Sequence, residues 1–272
     1  MATAEQCLQA GDLDQALAIV ADGLKRAPTD TAQRAFYAEL LCIHGDYERA
    51  DRQLETVKNL NARTATTVGT WRHLARAAQA RRDTFATGRV PEFIETPSAQ
   101  LTARLHLLVE RLESDRGAQT DPGAVEQERV ACPALVDGTP VDDVRDLDDL
   151  CAGVLEVLAS NGKYFWVDMS TVASLEIHPP ERLLDLAWRR ADLVLAGGTE
   201  GEVFIPAIYP EPTDDPALLL GRRTEWVADG SLVRGVGRRS WLVGDDALAM
   251  GEFRQLEAAQ TGAAAEGGVG HG

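Results

Sequence analysis

Two copies of one phrase, 34 residues apart, constrain this chain more than any other feature. The first reads Gly11-Asp12-Leu13-Asp14-Gln15-Ala16 and the second Gly45-Asp46-Tyr47-Glu48-Arg49-Ala50. In each, a glycine suits the left-handed residue that ends a helix, and the aspartate after it suits the start of the next. Alanine at the sixth position is small enough for two helices to pack closely. Between the copies Leu13, Ala16, Leu17, Val20 and Leu24 recur at helical spacing and predict a buried stripe.

A 34-residue period is that of the tetratricopeptide (TPR) helix-turn-helix repeat, and Pro28 falls where such a repeat usually stops. Ala62 stands where a second proline would, and most large aromatics of that repeat are missing. An ordinary pair of helical hairpins is therefore the competing description. The spacing predicts helices over about 3–10, 12–26, 30–44, 46–59, 63–86 and 98–114. Gly88 closes the fifth, before a break at Arg89-Val90-Pro91. Residues 114–129 are polar, with Gly117, Pro122 and Gly123, and are either a linker or one more weakly marked helix.

Beyond that stretch the period changes. Ala134-Leu135-Val136 running into Asp137-Gly138 predicts a strand and a tight turn, because Asp-Gly suits positive φ. Asp146 followed by Leu147, Leu150, Cys151, Val154, Leu155 and Leu158 predicts a helix over 147–159, with Asp148 and Asp149 in its first turn and Asn161-Gly162 ending it. Residues 164–169 and 174–177 read as strands, and Pro179-Pro180 opens a helix over about 180–190. Further strands are expected at 191–195, 203–209 (where Pro206 suggests an edge or a bulge), 226–227, 240–243 and within 248–256. The fold class is thus an all-α, TPR-like N-terminal domain followed by an α+β domain with a mostly antiparallel, twisted sheet. The expected boundaries are 1–116, a linker at 117–130, an α+β domain at 131–258 and a disordered Gly/Ala-rich tail at 259–272.

Charge narrows the function. The net charge is −16 over 272 residues. Residues 1–116 carry 16 acidic and 15 basic side chains, whereas 117–272 carry 27 and 12. An acidic half repels phosphate backbones, so nucleic-acid binding there is not expected, and a protein partner for the neutral helical half is. No apolar run reaches membrane-spanning length, and the opening residues lack a basic region and an apolar core. Cys7, Cys42, Cys132 and Cys151 are scattered, which predicts reduced, buried thiols in a soluble cytoplasmic protein.

The chain carries no nucleophile elbow, P-loop or His-Glu-x-x-His. Gly197-Gly198-Thr199-Glu200-Gly201 lacks the basic residue and helix start of a phosphate loop and reads as a hairpin. His44, His73, His106 and His178 have no ligand spacing. No catalytic residue, metal site or cofactor is expected. Of four tryptophans in the second half, Trp188 and Trp241 sit among aliphatic neighbours and predict core. Arg222, Arg223, Glu225 and Trp226 form a candidate surface site.

The motifs of the second half come in an order that resembles one family. Asn161-Gly162-Lys163-Tyr164-Phe165-Trp166-Val167, Ser174-Leu175-Glu176-Ile177 and Asp185-Leu186-Ala187-Trp188 come first. Ile205-Pro206-Ala207-Ile208-Tyr209-Pro210, Thr224-Glu225-Trp226 and Gly235-Val236-Gly237-Arg238-Arg239 follow. This succession, with the two N-terminal hairpins, resembles the ImpE/TagJ family over about residues 5–257. The resemblance implies a cytosolic, non-catalytic accessory protein of the type VI secretion system. It also implies association with the contractile sheath and with the AAA+ ATPase that dismantles it. The helical half would hold an N-terminal helix of the small sheath subunit.

In such arrays the first helix of each repeat lines the concave surface. That places Ala32, Ala35, Glu39, Cys42 and Ile43 on it, with Thr66, Gly69, His73, Arg76 and Ala77 one period on. Small residues leave room for a guest helix, and Glu39 and Arg76 would fix its direction. The same face is otherwise buried if residues 63–86 cap the array. Two other functions compete: a small-ligand or enzymatic domain built on the tryptophan-rich sheet, and a TPR scaffold unrelated to secretion.

Overall fold

In the computed structural model, residues 2–113 and 120–259 are described. The first half is six α-helices: α1 (Ala4–Ala10), α2 (Leu13–Arg26), α3 (Thr31–His44), α4 (Tyr47–Leu60), α5 (Ala65–Thr87) and α6 (Ala99–Leu112). The two Gly-Asp phrases work identically. Gly11 and Gly45 both sit at φ 87°, where a β-carbon would be strained. The aspartate amide after each reaches back to the helix it leaves, Asp12 N to Cys7 O at 2.8 Å and Asp46 N to Leu41 O at 2.8 Å. Each aspartate side chain then accepts an amide of the next helix, from Gln15 at 2.9 Å and Arg49 at 3.2 Å. One residue pair thus closes one helix and opens its neighbour. Ala16 and Ala50, at the sixth position, are fully buried at the helix crossings.

The polar stretch contains a short helix, α7 (Pro122–Gln127), and residues 114–119 lie outside the described residues, as does the tail beyond Ala259. Thirteen strands follow among the described residues. Eight of them, β1 (Ala134–Val136), β2 (Thr139–Val141), β4 (Val154–Leu158), β5 (Tyr164–Asp168), β6 (Val172–Ile177), β7 (Trp188–Leu195), β8 (Glu200–Pro206) and β13 (Gln255–Ala258), form one sheet. Its order is β2-β1-β13-β6-β7-β8-β4-β5, and every neighbouring pair is antiparallel. β3 (Val144–Asp146), β11 (Ser240–Val243) and β12 (Asp246–Ala249) make a three-stranded sheet, and β9 (Thr224–Asp229) with β10 (Leu232–Gly237) a hairpin. Asp137 and Gly138 both take positive φ in the β1–β2 turn, as Asp-Gly predicts. α8 (Pro216–Leu219) precedes β9.

Three expectations are corrected here. Residues 147–159 are not a helix: turns run to Gly153, and Val154–Leu158 is β4, paired with both β5 and β8. All five of its residues are buried, because helices cover one face of the sheet and a second apolar core covers the other. A strand buried on both faces shows no alternation and mimics a helical stripe. Asn161-Gly162 is accordingly the β4–β5 turn. Residues 180–190 likewise give only a 3₁₀ turn (Leu183–Leu186) before β7 begins at Trp188. Pro206 is the last residue of β8, which runs between β7 and β4, so its missing N–H falls at the strand's end rather than at a sheet edge.

The helical and sheet halves share a hydrophobic core. Tyr47 of α4 meets Trp188 of β7 at 6.2 Å between ring centres, and Phe85 of α5 meets Trp166 of β5 at 6.2 Å. Glu92 bridges to the outer edge of β5, donating to Tyr164 O at 2.9 Å and accepting from Trp166 N at 3.1 Å, which shields that edge from stray pairing.

Candidate functional site

On the helical half, α2 and the first turns of α3 bound an open groove of about 1190 Å³, closed at one end by residues 2–5. Ile19, Ala32 and Phe36 give it an apolar floor with Val20 buried beneath, and Asp22, Lys25, Arg26 and Gln33 a polar rim. α2 places Ile19 there because its other stripe, Leu13, Ala16, Val20 and Leu24, is committed to the core. Phe36 lies one turn beyond Ala32 on α3 and stays half-buried. An apolar floor with a charged rim between two helices matches the apolar face of an amphipathic helix.

The ten residues expected on the concave face do not share one surface: Thr66 is exposed, whereas Ala77 is fully buried in the core. Ala32 lines this groove, and Ala35 packs against the core beside it. Farther along α3, Glu39 turns to the 3₁₀ turn Leu183–Leu186 of the sheet half. Burial there pushes its carboxyl above the usual range, against the pull of Arg182. Ile43, with Cys42, walls the cleft where the halves meet, opposite Trp188. On α5, Gly69 has open space about it, and His73 Nδ1 lies 2.7 Å from Ser160 O in the β4–β5 turn. Arg76 is exposed, 3.6 Å from Asp51. The chain's own sheet half therefore meets the concave face over the last turns of α3 and the middle of α5. The open part lies at the start of α3. Ile19 and Phe36 were not anticipated from sequence; the signal for Ile19 is an aliphatic residue off the core stripe of its helix.

Of the four candidate surface residues only Arg223 and Glu225 meet. Arg222 donates to the carbonyls of Leu8 and Gln9 at the end of α1, the latter at 3.0 Å. Arg223 pairs with Asp215 at 2.5 Å and with Glu225. Trp226 is 44% exposed and leans edge-on against Tyr209 at 5.9 Å.

A buried ionic network joins α5 and α6 to the sheet half. Arg81 of α5 donates to Glu156 of β4 at 2.7 and 2.9 Å and to Ile208 O at 3.0 Å. Arg239 bridges Glu156 and Asp146, and Tyr164 donates to Glu156. Burial favours protonation of Glu156, but Arg81, Arg239 and Tyr164 outweigh it and pull the carboxyl down to about 2. At Asp146 burial prevails over Arg239 and pushes the pKa up to about 6. A second chain of charges runs from Asp148 through Arg234 and Glu211 to Arg111 of α6. Among the described residues no group of three or more His, Cys, Asp or Glu is arranged to hold a metal ion, and the four cysteines are free and buried. No described helix is long and apolar enough to cross a membrane.

Comparison with known proteins decides the family. A family model described as ImpE protein matches residues 138–257. The type VI secretion system accessory component TagJ of Pseudomonas aeruginosa is 32% identical over 259 residues, covering 93% of this chain and 90% of that protein. The chain belongs to the ImpE/TagJ family. Its fold agrees: a crystal structure of a Vibrio parahaemolyticus protein superposes with a TM-score of 0.87 at 33% identity, covering 94% of this chain and 97% of that one. The match runs through both halves, so the helical array and the sheet belong to one shared architecture.

Proposed function

We propose that this ImpE/TagJ family member is a non-enzymatic accessory component of a type VI secretion system. It acts in the cytoplasm as an adaptor, holding an amphipathic helix of the small sheath subunit on its helical half and working with the AAA+ ATPase that dismantles the sheath. The observation that carries the docking site is the open groove floored by Ile19, Ala32 and Phe36. Apolar surface of this shape, bounded by charges of both signs, suits a helix that presents one apolar face. Relationship to an accessory component of that system supports the setting.

The test is a titration of a peptide carrying the sheath subunit's N-terminal helix against the full chain and its Ala32→Arg variant. Ala32 is exposed, so the substitution fills the groove without entering the core. Affinity should fall at least about tenfold, a loss of about 1.4 kcal/mol, with the melting temperature nearly unchanged. A peptide that binds both forms equally, or neither, refutes the assignment of the groove.

A further inference from the structure

Five arginines of the described chain are buried: Arg81, Arg104, Arg189, Arg234 and Arg239. Four have a carboxylate within ion-pair distance, namely Glu156 for Arg81, Glu126 for Arg104, Asp148 for Arg234, and Asp146 with Glu156 for Arg239. Arg189, the second residue of β7, has none. It is 8% exposed, and its one hydrogen bond goes from Nε to the backbone carbonyl of Asp185 at 3.1 Å. The carboxylate of Asp185 is occupied elsewhere, accepting the amides of Glu181 and Arg182 at 2.8 and 2.9 Å.

The stem of Arg189 is buried while its two Nη atoms reach solvent, so the guanidinium stands at an open cleft with no carboxylate in contact. Its surroundings are basic. Arg189 opens into a cleft of about 450 Å³ between the end of α1 and the sheet half, and Arg222 and Arg238 line the same cleft. Arg222 spends its reach on the α1 carbonyls, and Arg238 donates twice to Met250 O, with Glu252 3.9 Å away. Burial makes the protonated form of Arg189 harder to hold; the nearby carboxylate of Asp185 opposes this, and the charge of Arg238 adds to it. Beside it Gly251 carries no side chain; a β-carbon there would lie 3.1 Å from Nη1 and crowd the free edge of the guanidinium. Most of the remaining wall is aliphatic, with Leu186, Ile208 and Met250, and Gln9 is its one uncharged polar side chain.

We propose that this cleft is a binding site for a carboxylate carried on an apolar body, with the planar fork of Arg189 taking both carboxylate oxygens and the aliphatic walls taking the rest. Guanidinium and carboxylate match in a bidentate geometry that is stronger than neutral hydrogen bonds. The walls are what favour a carboxylate with an apolar body over an inorganic oxyanion, which has nothing to place against them. Such a group is presented either by a free aliphatic acid or by a glutamate flanked by leucines on a partner protein.

The experiment uses the full chain and four probes: hexanoate, acetate, inorganic phosphate, and an end-blocked peptide with one glutamate between leucines. Binding is followed by NMR shifts and by the ligand-induced rise in melting temperature. Hexanoate or the peptide should saturate, with acetate and phosphate weaker. The tighter of the first two identifies the source. Arg189→Met keeps the aliphatic stem and removes the charge; it should weaken binding about 10–100-fold, the value of a hydrogen bond to a charged group. The unliganded variant should melt no lower than the parent, since no ion pair is lost. Arg189→Lys, which keeps charge but not the fork, should bind with intermediate affinity. Absence of saturation by both hexanoate and the peptide, phosphate binding as tightly as hexanoate, or unaltered binding in Arg189→Met overturns the proposal. So does a marked drop in melting temperature for both variants, because it makes Arg189 a structural residue.

Discussion

Replacing Glu156 by Gln tests whether the network between the halves holds them together. Glu156 is fully buried in β4 and takes four donors, from Arg81 (two), Arg239 and Tyr164. Glutamine keeps the shape but removes the charge, leaving two buried guanidiniums with Asp146 as the one carboxylate in contact with either. A drop in the acid's pKa from 4.5 to about 2 corresponds to about 3 kcal/mol of folded-state stabilisation of the ionised form. The cost of breaking a buried pair, about 3–5 kcal/mol, agrees. At about 2–4 °C per kcal/mol for a chain of this size, the variant should melt about 6–12 °C lower at pH 7. Because the folded pKa lies below the unfolded value, this contribution is complete above pH 4.5 and is lost as the pH falls through 4.5 toward 2. Melting curves of both proteins across that range should therefore converge on acidification. A difference under about 1 kcal/mol at pH 7, or one that stays constant down to pH 2, would refute the reasoning.

Glu39 titrates in the opposite sense. Its folded pKa is raised, so the stability it allows is full below pH 4.5 and is lost as the pH rises through the folded value. Glu39→Gln should thus melt above the parent at pH 7 and equal to it in acid; thermal melts showing a lower value at pH 7 would contradict the contact of α3 with the 3₁₀ turn. Gly45→Ala and Gly237→Ala share φ values of 87° and 85°, but only at Gly237 would the new methyl meet backbone, 2.4 Å from Arg223 O. Denaturant titration should show about 1–2 kcal/mol lost at Gly45 and clearly more at Gly237. The groove follows α2, whose 14 residues rise about 21 Å, so affinity for the sheath helix should grow with peptide length to about four turns and then level off.

The helical half was legible because each of its signals is local. A glycine, an aspartate cap and a 3.6-residue stripe act within one turn, so six helices can be read within two residues of their ends. β4 was not legible, because what makes Val154-Leu155-Glu156-Val157-Leu158 a strand is cover on both faces, supplied by residues far away in sequence. The same distance hid the ionic network. Asp148 looks like a first-turn residue until Arg234, 86 positions on, is placed beside it. The groove was legible in part: the bare Ala32 was visible, but sequence does not say where the sheet half lands. That landing separates Ala32 from Glu39 and Ile43.

The placement of the two halves also bears on the adaptor role proposed above. A short helical array has a floppy concave face unless something braces it, since each repeat contacts only its neighbours. Here the brace is the sheet half, joined by Tyr47 on Trp188, Phe85 on Trp166, and Arg81 on Glu156. These contacts fall on α4 and α5, behind the end of α3, and leave α2 and the start of α3 uncovered. Rigidity and access are thereby assigned to opposite ends of the same helix. On the proposed function, the guest helix would meet a preformed groove and lose little affinity to ordering its host. The acidic surface of the sheet half remains exposed for a further contact.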